Sequence, residues 1–313
     1  MHLDRSRTRA ILVGLSVAFL WSPSWVLIKI GLKEIPAVTF AGLRYSLASV
    51  CLLAVLLVRN ARSRIRLPPR HLWPALIGLG VLLYGCTQGA MFLALSYMPA
   101  VSVNLLWSFS AIAISLFGMI WLGERPTTLQ WVGVGIATGG AVLYYYPAGI
   151  EIGQRAGLLM CGIGVLANAG GAILGRSINR SRLVSPLVVT TISVSIGSGL
   201  LLPIGIVFQG FPPIAGRGWL IIAWLAVMNT AVAFTLWNHT LRVLTATESS
   251  VINGTMLLWI PIVAVVFLGE KVGLKEIIAL ILVGIGTLAV QAKRFIRSTP
   301  AGSSAEERNR LAG

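Results

Sequence analysis

The 313-residue sequence is too apolar for a water-soluble protein, because 56% of its residues are hydrophobic and a further 34 are glycine. Only 11% are charged, against about 25% in soluble proteins. The net charge of +16 at pH 7 would suggest a nucleic-acid partner in a soluble chain. Here we expect no such partner, because the basic residues follow the pattern of membrane topology.

Ten apolar runs bounded by charged residues, proline or glycine predict ten membrane-spanning segments, named here spans one to ten. They cover residues 10–32, 37–58, 72–95, 100–122, 128–146, 154–175, 185–208, 216–240, 245–268 and 274–291. Each run is long enough to cross a bilayer. Because their apolarity is continuous and does not alternate, helices are favoured over a membrane β-barrel. The sequence therefore predicts an all-α membrane protein with ten transmembrane helices.

The first two spans contain polar and helix-perturbing residues. Span one contains Trp21, Pro23 and Ser24, and a proline inside a helix leaves a carbonyl without its usual donor. Pro23 is therefore either a gating bend or a fixed kink. Arg44 lies about seven residues into span two, where an ionisable group is a functional candidate by default. It either contacts a substrate carboxylate or bonds to nearby carbonyls or a helix end.

Spans three and four each place polar residues on one helical face. Tyr84 and Gln88 share a face of span three. In span four, one face carries Asn104, Trp107, Ser108, Ala111 and Ser115. A polar face inside a membrane either lines a cavity or forms hydrogen bonds between helices, and we favour the cavity.

The second half offers matching candidates. They are Asn168 in span six, Trp237 and Asn238 in span eight, and Asn253 and Pro261 in span nine. Pro261 is again a gating bend or a structural kink, and Glu248, at the start of span nine, is either a coupling or gating group or a helix cap. Aromatic rings could pack an apolar side chain, while amides and hydroxyls could bind amino and carboxylate groups. A zwitterion with an apolar side chain would suit this site.

The distribution of lysine and arginine predicts the orientation. With the N-terminus in the cytoplasm, 18 of the 25 basic residues fall in cytoplasmic segments and 5 in outer loops. This bias satisfies the positive-inside rule. We therefore expect a multi-pass protein of the bacterial inner membrane with both termini cytoplasmic and with membrane lipids as partners.

An internal repeat relates the two halves. The stretch WLGERPTTLQWVGVGIATGGAVL from Trp121 aligns with FLGEKVGLKEIIALILVGIGTLAV from Phe267 at an offset of 146 residues. Each copy contains five spans, and because five is odd the second copy must enter the membrane from the opposite side. We therefore expect two inverted five-helix repeats, one in residues 1–147 and one in 148–313 with a short cytoplasmic tail. Inverted repeats of this kind favour alternating access around a central site.

The chain resembles the EamA-type members of the drug/metabolite transporter superfamily. The resemblance rests on the twin LGE[RK] turns, FAGLRYSLA in span two, WSPSWVLIK in span one and the glycine rows of spans five and ten. VNLLWS in span four and LWN in span eight are similar to the bacterial aromatic amino acid exporters, although Ser108 stands where those exporters carry proline. The resemblance implies export of aromatic and other neutral amino acids, by a protein that we expect to act as a monomer. The alternative is a multidrug or other small-metabolite exporter.

Motifs for nucleotide or metal chemistry are absent from the sequence. It has no GxxxxGK[ST], no HExxH and no cluster of cysteine and histidine, so we expect no cofactor and no catalytic residue. A membrane-embedded enzyme is a distant alternative. No carboxylate lies in the middle of a span, which argues against obligatory proton coupling. The pairs Gly135/Gly139 and Gly171/Gly175 are expected to allow close helix packing.

Overall fold

The computed structural model describes residues 2–62, 67–122, 127–146, 151–244 and 246–298, and within these ranges all regular structure is helical. The helices are α1 (His2–Gly31), α2 (Ala37–Arg62), α3 (Trp73–Leu79), α4 (Thr87–Tyr97), α5 (Ala100–Trp107), α6 (Phe109–Leu122), α7 (Thr128–Tyr145), α8 (Arg155–Ser181), α9 (Pro186–Gln209), α10 (Gly216–Ala226), α11 (Ala233–Thr240), α12 (Ala246–Gly254), α13 (Met256–Leu268) and α14 (Leu274–Ser298). The predicted all-α class is confirmed. The Gly123–Arg125 turn, half of the LGE[RK] pair, lies outside the described residues.

Nine helical stretches in the described ranges are long and apolar enough to cross a membrane. Each corresponds to one predicted span, and spans three, four, eight and nine are each built from two α-helices joined end to end. The remaining predicted span is α7, an 18-residue helix that is not among the nine. The chain is therefore a multi-pass helical membrane protein.

Four spans depart from regular α-helix, at equivalent places in the two halves. In span three the π-helical segment Gly80–Cys86 joins α3 to α4, and in span eight the π-helical segment Val227–Val232 joins α10 to α11. Span four is interrupted at Ser108 and span nine at Thr255. The two prolines expected to bend helices, Pro23 and Pro261, lie inside uninterrupted helices.

Glycines allow the closest helix contacts. A Cβ on Gly42 of α2 would lie 2.5 Å from the Leu202 Cα in α9, and one on Gly286 of α14 would lie 2.5 Å from the Gly133 carbonyl oxygen in α7. No larger side chain fits at such distances without moving the backbone. Gly171 also packs closely, with its virtual Cβ 2.9 Å from the Leu83 Cβ.

The Gly135/Gly139 expectation is wrong for contacts within the chain. A Cβ at either position would meet no atom of the described residues within 4 Å. The GxxxG spacing marked the correct helix but the wrong face of it, since α7 turns Gly133 and Gly140 toward α14.

The connecting segments gather at two ends of the bundle. One end, which we name the basic end, is where the start of α1 meets the start of α12. There the Arg7 Nη2 lies 2.6 Å from the Glu248 Oε1. Arg242 donates there to the Val184 carbonyl oxygen. At the other end, named the opposite end, the Thr39 hydroxyl donates to the Gly210 carbonyl oxygen at 2.9 Å.

Candidate functional site

A cavity of about 980 Å³ lies among the helices of both halves. Its wall reaches the basic end, where the exposed residues Arg180 and Ser181 line it. Its volume is within the range of about 300–1,000 Å³ that is usual for sites of small-molecule ligands. The cavity therefore has the size of a metabolite site and opens at the basic end.

The structure brings together most of the residues that the sequence suggested for substrate binding. The cavity wall includes Trp21, Ser24, Tyr84, Gln88, Asn104, Trp107, Ser108, Asn168, Trp237, Asn238 and Asn253. Ser115, from the same predicted face of span four, is buried away from the cavity. The cavity-lining part of that span continues past Ser108 through Ser110, Ala111 and Ile114 and does not include Ser115.

Aromatic side chains from three spans form a continuous apolar surface on one side of the cavity. The Trp21 ring lies 4.9 Å from the Phe234 ring and 5.5 Å from the Trp237 ring, between centroids. Phe234 also contacts Tyr84 at 5.0 Å. Such tilted and edge-on pairs keep rings fixed, so this surface is a preformed platform for an apolar group.

Several polar wall residues already bind other protein groups. The Asn179 Nδ2 donates to the Asn238 Oδ1 at 2.6 Å, and the Asn238 Nδ2 donates to the Thr190 Oγ1 at 3.0 Å. The Trp21 Nε1 donates to the Asn229 carbonyl oxygen at 3.0 Å. These residues shape the wall, and their hydrogen-bonding groups are largely used within it.

Arg44 is 2% exposed and is held between α2 and the π-helical segment of span eight. Its Nε donates to the Thr230 Oγ1 at 2.9 Å and its Nη2 to the Asn229 carbonyl oxygen at 3.3 Å. Its guanidinium carbon lies 5.0 Å from the Tyr45 ring centroid. Arg44 therefore bonds to a nearby carbonyl, as expected for a structural role. It also lines the cavity.

The other three candidates for gating or structural roles lie outside the cavity wall. Pro23 and Pro261 are not among its lining residues. Glu248, in the first turn of α12, is 7% exposed and accepts a hydrogen bond of 2.7 Å from the Arg7 Nε. Glu248 therefore holds the start of α1 against α12 at the basic end.

One wall of the cavity was not predicted from the sequence. Span ten contributes Thr287 and Gln291 together with four apolar residues and Gly284 of α14. The two polar residues are four positions apart on one face of an otherwise apolar helix. This spacing is the signal that could have identified the wall.

The described connecting segments at the opposite end contribute no residue to the cavity wall, and two charged side chains bind the junction of α4 and α5 there. The Lys29 Nζ donates to the carbonyl oxygens of Leu95 and Met98, at 2.6 and 2.7 Å. The Glu270 carboxylate accepts from the backbone N–H groups of Ala100 and Val101, at 2.7 and 3.0 Å. A cation at a helix C-terminus and an anion at a helix N-terminus both stabilise the helix dipole.

Comparison with known proteins places the chain among transporters. Residues 8–146 and 155–291 each match the model of the EamA-like transporter family. The chain is 25% identical over 297 residues to the uncharacterized transporter YvbV of Bacillus subtilis, covering 93% of this chain and 94% of that protein. It is 27% identical over 239 residues to the uncharacterized inner membrane transporter YedA of Escherichia coli K12, covering 71% of each.

A solved crystal structure with 21% sequence identity has the same fold. It aligns with a TM-score of 0.67 over 92% of this chain and 98% of its own. At this identity the likeness shows the fold alone. With two family matches that together cover most of the sequence, the chain belongs to the EamA-like transporter family, within the drug/metabolite transporter superfamily.

Proposed function

We propose that this protein exports amino acids, aromatic and other neutral ones, from the bacterial cytoplasm. Ten helices in two inverted repeats, spanning residues 1–147 and 148–313, would alternate around the central cavity with both termini cytoplasmic. The protein would act as a monomer, without a cofactor and without catalysis.

The observation that carries this proposal is the aromatic-walled cavity that opens at the basic end. Its platform of Trp21, Phe234 and Trp237 suits an apolar or aromatic side chain. The Asn253 Oδ1 is buried without a partner among the described residues, so it could accept a hydrogen bond from a substrate amino group. A site of this kind suits a molecule with one apolar and one polar part.

Basic residues at the basic end support the proposed orientation, with this end in the cytoplasm. Cytoplasmic segments of inner-membrane proteins are enriched in lysine and arginine, and the cavity opens where Arg180 lies. The described conformation would then receive substrate from the cytoplasm while the closure by Lys29 and Glu270 seals the outer side. Rocking of one repeat against the other would reverse this arrangement.

Counterflow in proteoliposomes tests the proposal. Vesicles preloaded with unlabelled phenylalanine, leucine or serine should accumulate the labelled amino acid transiently, with phenylalanine the most effective. Uptake of cationic drugs without any amino acid counterflow would support a multidrug exporter instead and refute the proposal.

A further inference from the structure

The charges on the cavity wall have one sign. Arg44, Arg176 and Arg180 line the cavity, and no aspartate or glutamate is among its described lining residues. The two described acidic side chains nearest in the chain to lining residues are engaged elsewhere, since Glu248 pairs with Arg7 and Glu276 pairs with Lys275. The cavity therefore attracts anions.

Arg44 is the cation that most needs a negative partner. Arginine remains charged in proteins, and a buried charge is normally paired. Neither of the ion pairs in the described residues includes Arg44, and its Nη1 is buried with no hydrogen-bond partner there. Its two acceptors are a neutral hydroxyl and a neutral carbonyl.

The position of Arg44 in the cavity is also suited to attracting an anion. It lies in the second turn of α2, which begins at the opposite end, so it is at the closed side of a cavity that opens at the basic end. Arg176 and Arg180 follow each other on one face of the last turns of α8, near the opening. An anion entering from the basic end would meet positive charge along its path.

No charged acceptor of the described wall faces a substrate cation, and the Asn253 Oδ1, which is neutral, is an acceptor left open there. The amide of Asn238 is bonded to Asn179 and Thr190, and the Nδ2 of Asn104 is directed to the Met256 carbonyl oxygen at 3.4 Å. Removing an ammonium group from water needs a compensating partner, and the described wall supplies only neutral acceptors. The carboxylate of a substrate thus gains more from the cavity than its ammonium group does, because a charged partner binds more strongly than a neutral one.

We propose that the cavity selects its substrates by their carboxylate, with Arg44 as the specificity-determining cation, and that an α-ammonium group is dispensable. The preferred substrate class is then an amphipathic carboxylate, including monoanions that lack an amino group. This inference rests on the proposed transport function and deepens it. The Nη1 is covered by neighbouring side chains, so direct contact requires a small movement of the wall, whereas the electrostatic attraction acts without it.

Pairs of ligands with the same apolar body test the inference. Binding of 3-phenylpropionate and of 2-phenylethylamine to the purified full-length protein is followed by quenching of the cavity tryptophans, with benzoate and benzylamine as a second pair. We expect each carboxylate to bind at least about tenfold more tightly than its amine, the factor that one hydrogen bond to a charged group supplies. Equal binding, tighter amine binding or no carboxylate binding would overturn the inference.

Variants assign the effect to Arg44. Arg44→Gln should lose the preference, Arg44→Lys should keep most of it, and Arg155→Gln, at an exposed position of α8 outside the cavity, should leave it unchanged. If Arg44→Gln does not fold, Arg176→Gln should weaken carboxylate binding without affecting amines. A preserved preference in folded Arg44→Gln would contradict the assignment. Because binding is measured without amino acids, failure of phenylalanine counterflow would refute the proposed function separately.

Discussion

The closure of the opposite end by Glu270 leads to a quantitative prediction. Its two carboxylate oxygens accept the backbone N–H groups of Ala100 and Val101, at 2.7 and 3.0 Å. Glu270→Gln keeps one acceptor oxygen but removes the charge and the second acceptor from the helix N-terminus. For a partly exposed cap, this loss should destabilise the closed end by about 1–2 kcal/mol. The population open at this end should then rise by about 5- to 30-fold.

Cysteine labelling measures that population. Met98 is 1% exposed at the closed end, so Met98→Cys in a background without Cys51, Cys86 and Cys161 reports opening by its reaction with an impermeant maleimide. The labelling rate should increase about 5- to 30-fold in Glu270→Gln, in proportion to the open population.

The matched control is Glu276→Gln at the same end. Glu276 accepts from the Gly273 N–H at 2.9 Å and pairs with Lys275 at 3.2 Å, and neither bond involves α4 or α5. This variant should label at the original rate. An unchanged rate in Glu270→Gln, or an equal increase in both variants, would refute the role of Glu270 in closing this end.

Three further predictions concern transport and topology. Trp237→Ala should reduce amino acid counterflow at normal membrane abundance, with folding measured in parallel because truncation of a packed tryptophan costs about 3–5 kcal/mol; undiminished transport would make Trp237 a packing residue only. Cysteines at the N-terminus and at Lys271 should label from opposite sides of the membrane, and labelling from the same side would exclude the inverted repeat. A neutral amino acid should equilibrate without response to an imposed pH gradient, whereas concentrative uptake would refute facilitated transport and direct attention to Glu248.

Much of the fold could be predicted because lipid requires continuous apolar helices. The apolar runs located the helices, and the helical spacing of Asn104, Trp107 and Ser108 correctly put them on one surface. The positions of the helix interruptions were not predicted. Proline is the residue expected to bend a helix, yet Pro261 lies within α13 and the interruption is at Thr255. A serine or threonine position has no comparable local signal, so packing between helices determines where these spans are interrupted.

The faces of glycine-rich helices were equally difficult to predict. In α7 several glycines fall on different faces, and only contact with α14 distinguishes Gly133 from Gly135. The closing role of Glu270 was not predicted either, because it depends on a turn between spans nine and ten reaching the start of span four. Contacts between segments so distant in sequence leave no periodic pattern in one sequence.

The paired π-helical segments have a consequence for the rotational phase of the cavity wall. In both halves a threonine hydroxyl donates to the carbonyl oxygen five residues earlier, from Thr87 to Leu82 at 2.7 Å and from Thr230 to Leu225 at 2.9 Å. A π-helical turn accommodates one residue more than an α-helical turn. Each α-helical residue advances the helix by about 100°, so a chain one residue shorter within Gly80–Cys86 would rotate the rest of span three by about that angle. Gln88 would then leave the cavity wall while the helix itself remained intact. The extra residue of the π-helical turn in each half thus determines which side chains a substrate meets.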